Sequence, residues 1–386
     1  MLGEVVKRLS TKSMQRDILG QVSSHHGIMA RLDDYPGVRN VLNFTNCTVA
    51  LDHDACWAHR PEDLVTHCLP YAWDPGAQCP GFRWLVWRMT GLAGDNSQQH
   101  QELYEYVLAM LGYCLIYGNP AQLVFFLTGD TKTGKTTVVE IVATLIRPLS
   151  HKSKPVLVTV PARGGERHDS VRWSVRGKRL VYIEETEEEM RIDVGALKDL
   201  AGGRSMPVRK MHGSEEVPTP VTFAIVIPTN DMPSMLGGDS AVAERLVKIP
   251  CGGETIPLAE RDPHIADKII ATEAPDILAL LVHYARRYYQ AGLPRPPAVT
   301  TASEEYMASQ NSAAVFWAER CTSEPLAPGA EVAEKRDALY SEYKSWSDGA
   351  AKLGRNDFYK QVRKLPGVAE GRDSQGRRVF TGIRLI

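Results

Sequence analysis

The chain has 386 residues, of which 43% are hydrophobic and 24% charged, a composition that indicates a folded protein and excludes a disordered one. Its formal net charge of −1 excludes a uniformly basic nucleic-acid-binding protein, so any DNA-binding surface must be a local group of lysines and arginines. The seven cysteines form no C-x-x-C pair, and neither a signal peptide nor an apolar run of about 20 residues is visible, which predicts a cytoplasmic protein without a membrane partner.

Residues 1–118 are predicted to form a mostly helical N-terminal domain. Apolar residues recur at three- and four-residue steps over residues 99–118, which indicates an amphipathic helix. Cysteines and histidines between Cys47 and Cys79 invite a zinc hypothesis. Their spacing lacks the close ligand pairs of structural zinc sites, so we interpret them as buried or incidental residues.

The centre of the chain carries a phosphate-loop motif. An apolar run over residues 123–127 predicts a buried strand, and a glycine loop and a helical pattern follow it. The loop matches G-x-x-x-x-G-K-[ST], whose backbone N–H groups wrap the phosphates of a nucleotide. The predicted nucleotide-binding residues are Gly129, Asp130, Thr131, Lys132, Thr133, Gly134, Lys135, Thr136 and Thr137.

The residue types of this loop predict a division of roles. The glycines allow backbone conformations that are closed to other residues, and they let the loop approach the phosphates. Lys135 is predicted to reach the β- and γ-phosphates and Thr136 to hold Mg²⁺, while the N-terminus of the following helix adds its positive dipole end. A glycine turn between unrelated elements is the alternative.

Two strand candidates follow the phosphate loop, at residues 155–160 and 180–183. The second ends in Glu184 and Glu185, and ligands of open α/β sheets bind at the carboxyl ends of strands. We predict that Glu184 orients Mg²⁺ and that Glu185 polarises the attacking water. A solvated acidic turn is the alternative, because three more glutamates occupy residues 187–189.

Two further candidates flank buried runs. Asn230 ends an apolar run at a position that suits a bond to the γ-phosphate or to the attacking water, although such a residue is also common in turns. Arg245 precedes another strand candidate, and an arginine presented by a neighbouring subunit stabilises charge on the γ-phosphate. A surface salt bridge is the alternative for Arg245.

A basic hairpin is predicted between the acidic strand and the Asn230 strand. Its arm places Arg209, Lys210 and His212 near the tip, where cations suit the phosphates of DNA. Composition alone favours a merely solvated hairpin.

The C-terminal part, residues 298–386, is predicted to be a small separate domain. The proline cluster at residues 293–297 is the best linker signal in the chain. Residues 331–386 hold 12 lysines and arginines against 8 acidic residues, and their pattern predicts a helix, a second helix and a β-wing.

In their order and spacing, these motifs resemble those of the superfamily 3 helicases of phages, plasmids and small DNA viruses. The likeness is strongest to the helicase half of phage and plasmid primase-helicases, and it covers roughly residues 40–320. The matching segments are residues 129–136, 179–185, 198–203 with Arg209, 228–230, and Arg245 ahead of Pro250. The resemblance implies an α/β fold with an AAA+-like ATPase core at residues 119–292 and a winged-helix-like C-terminal domain.

The resemblance also implies a function and partners. The family binds and hydrolyses ATP with Mg²⁺, uses the segment of Lys198, Arg209, Lys210 and His212 to grip DNA, and uses Asn230 as a sensor. Arg245 is expected to act in trans within a homo-hexamer. We therefore expect a replicative DNA helicase of a mobile genetic element, which translocates on single-stranded and forked DNA in the cytoplasm of a bacterial host. A separate primase or initiator is expected as a partner, because no primase domain is visible.

The sequence departs from the family pattern in two respects. Glu184 and Glu185 stand where many ATPases have an aspartate, and a single arginine, Arg245, stands where the family often has two. Three other functions fit parts of the pattern: an AAA+ initiator or loader that does not unwind processively, a small-molecule phosphotransferase, and a DNA-binding initiator or repressor with an ATPase switch.

Overall fold

The computed structural model describes residues 12–23, 40–76, 78–91, 98–160, 168–184, 191–203, 205–209, 216–235, 240–310, 312–325, 332–347 and 353–386. The helices are α1 (Lys12–Ser23), α2 (Pro80–Thr90), α3 (Gln98–Tyr113), α4 (Lys135–Leu145), α5 (His168–Ser174), α6 (Val194–Gly202), α7 (Ser240–Ala243), α8 (Ile265–Ala291), α9 (Pro297–Gln310), α10 (Ser312–Arg320), α11 (Arg336–Trp346) and α12 (Arg355–Val362). Short 3₁₀ turns lie at Pro61–Asp63, Arg147–Leu149, Pro155–Leu157 and Leu258–Glu260.

The strands are short. They are β1 (Val41–Asn43), β2 (Thr48–Ala50), β3 (Cys56–Trp57), β4 (Val124–Thr128), β5 (Ser150–Ser153), β6 (Leu180–Ile183), β7 (Arg191–Ile192), β8 (Ser205–Arg209), β9 (Glu216–Pro220), β10 (Ala224–Thr229), β11 (Ser234–Met235), β12 (Leu246–Pro250), β13 (Cys321–Thr322), β14 (Ala333–Lys335), β15 (Ala369–Arg372), β16 (Arg378–Thr381) and β17 (Arg384–Leu385).

A five-stranded sheet in the order β12-β4-β10-β6-β5 forms the centre of the molecule. All four of its strand pairs are parallel. Parallel neighbours need crossover connections, and such sheets are covered by other elements on both faces. This architecture confirms the predicted α/β class.

Alternate residues of β4 enter two different apolar clusters, because side chains of a strand point to opposite faces. Phe125 and Leu127 join the cluster of α2, α3, α4 and α8. Val124 and Phe126 join the cluster of α5 and α6 on the other face. The strand is buried along its whole length, which explains its continuous apolar sequence.

The described residues between 40 and 118 pack onto one face of this sheet. Strands β1, β2 and β3 form a small antiparallel sheet, and α3 packs against α8. Apolar residues of both elements, among them Leu42, Val49 and Leu111, belong to the same cluster as Phe125. This segment therefore contains a three-stranded sheet in addition to the predicted helices. Both pack in the same apolar core as the central sheet.

One predicted strand is wrong. Residues 155–157 form a 3₁₀ turn, and Thr159 makes only an isolated bridge to Ile192. The sheet instead uses β5, whose sequence Ser-His-Lys-Ser is polar. An edge strand has one open side, so it does not need the apolar residues of a central strand. The apolar residues Leu157 and Val158 are buried in the second cluster without forming a strand of this sheet.

The C-terminal residues form a third apolar cluster. Phe316, Tyr343, Phe358 and Phe380 pack there, beside an antiparallel sheet in the order β14-β16-β15. The chain order of β14, α11, α12, β15 and β16 gives the predicted succession of two helices and a hairpin. Helix α9 packs against β12 of the central sheet and not in the third cluster. The first residue of the third cluster is Ala313, in α10.

A buried arginine joins several of these elements. Arg179 precedes β6 and donates from Nη1 to the carbonyl oxygen of Leu115 at 2.7 Å and from Nη2 to that of Val41 at 2.8 Å. Burial lowers the pKa of its guanidinium to about 10, so the group stays charged at neutral pH. Arg179 thus links the end of α3 and β1 to the amino end of β6.

No described helix is both long and apolar enough to cross a membrane.

Replacing Arg179 with methionine is expected to lower the free energy of unfolding by roughly 2–4 kcal/mol, because two buried carbonyl oxygens lose their donors. The matched control is Arg176→Met, at an exposed position nearby, for which we expect a loss of less than about 1 kcal/mol. Unfolding in urea, followed by circular dichroism, measures both values. Equal losses would contradict the linking role of Arg179.

Candidate functional site

The phosphate loop joins β4 to α4 at the carboxyl edge of the central sheet. Its two glycines have φ angles of +145° at Gly129 and +103° at Gly134, which favour glycine. A Cβ atom at Gly129 would lie 2.0 Å from the carbonyl oxygen of Cys251, the residue after β12. The loop therefore needs glycine at its first position for two reasons, backbone conformation and close contact with the neighbouring strand end.

Lys135 is the first residue of α4, and its ammonium lies inside the loop. It donates to the carbonyl oxygens of Gly129 at 2.7 Å and Asp130 at 2.5 Å, and it lies 3.4 Å from Oδ1 of Asn230. The side chain is buried, and burial lowers the pKa of the ammonium. All the partners named here are uncharged oxygens, so a phosphate would be a stronger partner for this cation.

A pocket of about 480 Å³ opens above the loop. It is lined by residues 131–137, Glu184 and residues 228–230. The carboxyl ends of β4, β6 and β10 thus bring the predicted phosphate loop, one predicted magnesium ligand and the predicted sensor Asn230 to one place. The volume lies within the range of small-molecule sites.

Glu184 lies between two charged residues that the sequence analysis missed. Its Oε2 accepts a hydrogen bond from Nζ of Lys152 on β5. Glu140 on α4 is its other neighbour: burial, and then the negative charge of Glu184, raise the pKa of the Glu140 carboxyl group. A carboxylate oxygen is a preferred ligand of Mg²⁺, and Thr136 supplies a hydroxyl in the same pocket, so these residues fit the predicted ion.

Arg245 lies at the opposite edge of the sheet from the phosphate loop. It precedes β12, and the five residues of that strand span about 17 Å. Its Nη2 lies 3.4 Å from Oε1 of Gln122, and a Cβ atom at Gly202, the last residue of α6, would lie 2.8 Å from the same Nη2. The structure therefore does not bring Arg245 to the pocket of its own chain.

The predicted basic hairpin has an antiparallel arm made of β8 and β9. The register pairs Ser205 with Pro220 at one end and Arg209 with Glu216 at the other. Lys210 and His212, near the predicted tip, lie outside the described residues, and so does Glu185. Lys198, the other predicted DNA-binding residue, is half-buried on α6.

The described residues offer no group of three or more histidine, cysteine or acidic side chains that would hold a metal ion. Cys47 is buried, and burial raises the pKa of its thiol. The nearby Cys56 raises that pKa further. The magnesium site predicted here has a different donor set, one carboxylate and one hydroxyl completed by nucleotide and water oxygens.

The comparisons with known proteins concern most of the chain. The family described as "D5 N terminal like" matches residues 1–90. The protein named "Putative helicase L207/L206" of Acanthamoeba polyphaga mimivirus is 24% identical over 326 residues, which cover 78% of this chain and 33% of that protein. The protein named "Putative helicase 184R" of Invertebrate iridescent virus 6 is 22% identical over 258 residues, which cover 65% of this chain and 26% of that protein.

This chain therefore matches about a third of the first viral relative and about a quarter of the second. The apo structure of the NrS-1 C-terminal region is 10% identical, with a TM-score of 0.45, and covers 88% of this chain and 95% of that one. The family match and the two viral relatives confirm the resemblance drawn from the motifs, because this chain is similar to viral proteins named as helicases.

Proposed function

We propose that this chain binds and hydrolyses ATP and uses that reaction to unwind DNA as a helicase of a virus, phage or other mobile element. The observation that carries the proposal is the single pocket in which the phosphate loop, Glu184 and Asn230 meet. The similarity to two viral proteins named as helicases supports the DNA-unwinding part. The proposed partners are single-stranded and forked DNA and a separate primase or initiator.

The phosphates of ATP are proposed to enter the loop and become the partners of Lys135. The buried ammonium already lies within bonding distance of loop carbonyl oxygens, and an anionic oxygen forms a stronger, charge-assisted bond with it. The N-terminus of α4 faces the same place, and its N–H groups attract negative charge. Binding thus exchanges uncharged partners for charged ones at a cation that the fold holds in position.

The acidic residues are proposed to supply the remaining functions. Glu184 and Thr136 would hold Mg²⁺, which neutralises charge on the phosphate oxygens when it is bound. Lys152 pairs with Oε2 of Glu184, which leaves Oε1 of the same carboxylate to serve the ion. Glu185, which follows Glu184 directly in the chain, is proposed to polarise the attacking water, and Asn230 to bond the γ-phosphate or that water.

The ring assembly is also a proposal. Arg245 is remote from the pocket of its own chain, and in a head-to-tail ring it would complete the pocket of a neighbour. An arginine supplied in this way stabilises negative charge on the transferring phosphoryl group. The hairpin of β8 and β9, with Arg209, Lys210 and His212, would then grip single-stranded DNA together with Lys198.

Lys135→Ala is expected to lower ATP turnover by about 10²-fold or more while the protein stays folded, because the variant loses the cation that meets the phosphates. Turnover and circular dichroism are measured on the same samples. The control is Lys344→Ala, an exposed lysine of α11 that does not line the pocket. Unchanged turnover in Lys135→Ala would contradict the nucleotide site.

Mixing two inactive variants tests the ring. Glu185→Gln is expected to bind ATP without turning it over, because an amide does not polarise water as a carboxylate does. Arg245→Ala is expected to be inactive for a different reason, the loss of the cation that its neighbour needs. A mixed ring contains some interfaces with both residues intact, so mixing should restore part of the activity. Full activity of a monomer, with no gain on mixing, would exclude the trans arrangement.

Strand displacement on a forked duplex distinguishes a helicase from an AAA+ initiator or loader that hydrolyses ATP without processive unwinding. We expect ATP-dependent displacement by the wild-type chain and none by Lys135→Ala. Stimulation of ATPase by single-stranded DNA is measured alongside. ATPase and DNA binding without displacement would favour the initiator or loader function.

A further inference from the structure

Four arginines of the C-terminal part surround one concave surface, which we call the arginine site. Arg336 lies at the start of α11 and Arg363 directly follows α12, while Arg372 and Arg378 belong to strands β15 and β16. They line a cavity of about 410 Å³ together with Glu370 and Gly371. We propose that the arginine site binds the phosphate backbone of DNA, independently of the hairpin proposed above.

The charges of the arginine site are not balanced. Nη1 of Arg336 and Nη2 of Arg363 both lie 3.0 Å from the same oxygen, Oε1 of Glu370. Among the residues that the structure describes, that glutamate is the only acidic one that lines the cavity, against four guanidinium groups. Other cations of this part have carboxylates of their own: Arg377 pairs with Asp373, Arg355 with Asp337 and Lys360 with Asp357. The cavity therefore carries a local surplus of positive charge.

Two of the four arginines are directly opposite each other in the sheet. The register of β15 and β16 pairs Arg372 with Arg378, so both side chains lie on the same face of the hairpin. Like charges at such a position repel, and the pair costs stability without a counter-charge. An anionic ligand between them would turn this repulsion into charge-assisted hydrogen bonds.

A third arginine, Arg336, is held in place by two aromatic rings. The guanidinium of Arg336 lies 4.1 Å from the ring centre of Tyr359 and 5.5 Å from that of Phe380, and only 13% of its side chain is exposed. Stacking on aromatic rings fixes the plane of the group, so less conformational entropy is lost when it binds. A fixed guanidinium also presents paired donors in the geometry that phosphate accepts.

The chemistry of the cavity favours a phosphodiester backbone over a free nucleotide. In the described part of the chain, its lining consists of four arginines, a glutamate and a glycine, which offer no apolar or aromatic floor for a base. Contacts to backbone phosphates need only such donors, and they position DNA without reading its sequence. The four cations also come from the start of α11, the end of α12 and the hairpin of β15 and β16, an arrangement that suits several successive phosphates better than one.

Binding of labelled, random-sequence DNA to the full chain tests the arginine site by fluorescence anisotropy. The test variant is Arg372→Gln/Arg378→Gln, and the control is Arg355→Gln/Arg377→Gln, which removes the same charge from arginines paired with carboxylates. We expect affinity to fall about 10-fold in the test variant and less than about 2-fold in the control. The slope of log K against log salt concentration should fall by about 1–2 only in the test variant.

Further measurements keep the outcome clear. ATPase without DNA should be unchanged in both double variants, and the unfolding midpoint shows whether each is folded. Arg372→Lys/Arg378→Lys should recover part of the affinity, because it retains the charge. Equal losses of affinity in the test and control variants, or no loss in either, would overturn the proposal. Displacement of the labelled DNA by polyglutamate at equal charge would also overturn it, because that result would indicate an acidic protein partner. Absent ATPase in the wild-type chain would overturn the proposed function and leave this binding test valid.

Discussion

The phosphate loop depends on β4 being hydrogen-bonded on both sides, to β10 and β12, along its full length. At the last residue of β4, the carbonyl oxygen of Thr128 accepts a hydrogen bond from the N–H of Cys251 at 2.6 Å, so the loop begins against a fixed neighbour. That contact leaves no room for a side chain at Gly129. The loop then turns back into α4, and Lys135 is held among the carbonyl oxygens of the loop. The geometry of the pocket is therefore set by strand pairing.

The second constraint is electrostatic. Glu140 and Glu184 place two carboxyl groups side by side next to the pocket, and the resulting repulsion contributes to the raised pKa of Glu140. Lys152 opposes this effect, because its ammonium pairs with Glu184 and also acts on Glu140. A divalent cation at Glu184 would take over the same task with a larger charge. The polar edge strand β5 thus supplies a cation to the pair of carboxyl groups formed by Glu140 and Glu184.

The sequence predicted those features that depend on local pattern. Glycine spacing located the phosphate loop, and apolar runs located β4, β6 and β10, whose ends carry Glu184 and Asn230. Lys152 and Glu140 were missed because their proximity to Glu184 depends on β5 lying next to β6 and on the rotation of α4, neither of which a local pattern shows. Arg179 belonged to a recognised motif, but its acceptors lie 64 and 138 residues away in the chain. The prediction of a strand at residues 155–160 was wrong, because the apolar residues there are buried without pairing in the central sheet.

The formal net charge of −1 does not show where the cations lie in the structure. Lys135 and Arg179 are buried and bond to carbonyl oxygens, so they contribute to the site and the fold without attracting a distant polyanion. Exposed cations with carboxylates of their own, such as Arg377, have fields that largely cancel beyond a few ångströms. At physiological ionic strength any remaining field is screened over about 8 Å. The DNA binding proposed above therefore requires places where cations outnumber carboxylates at short range, and the four guanidinium groups around Glu370 form such a place.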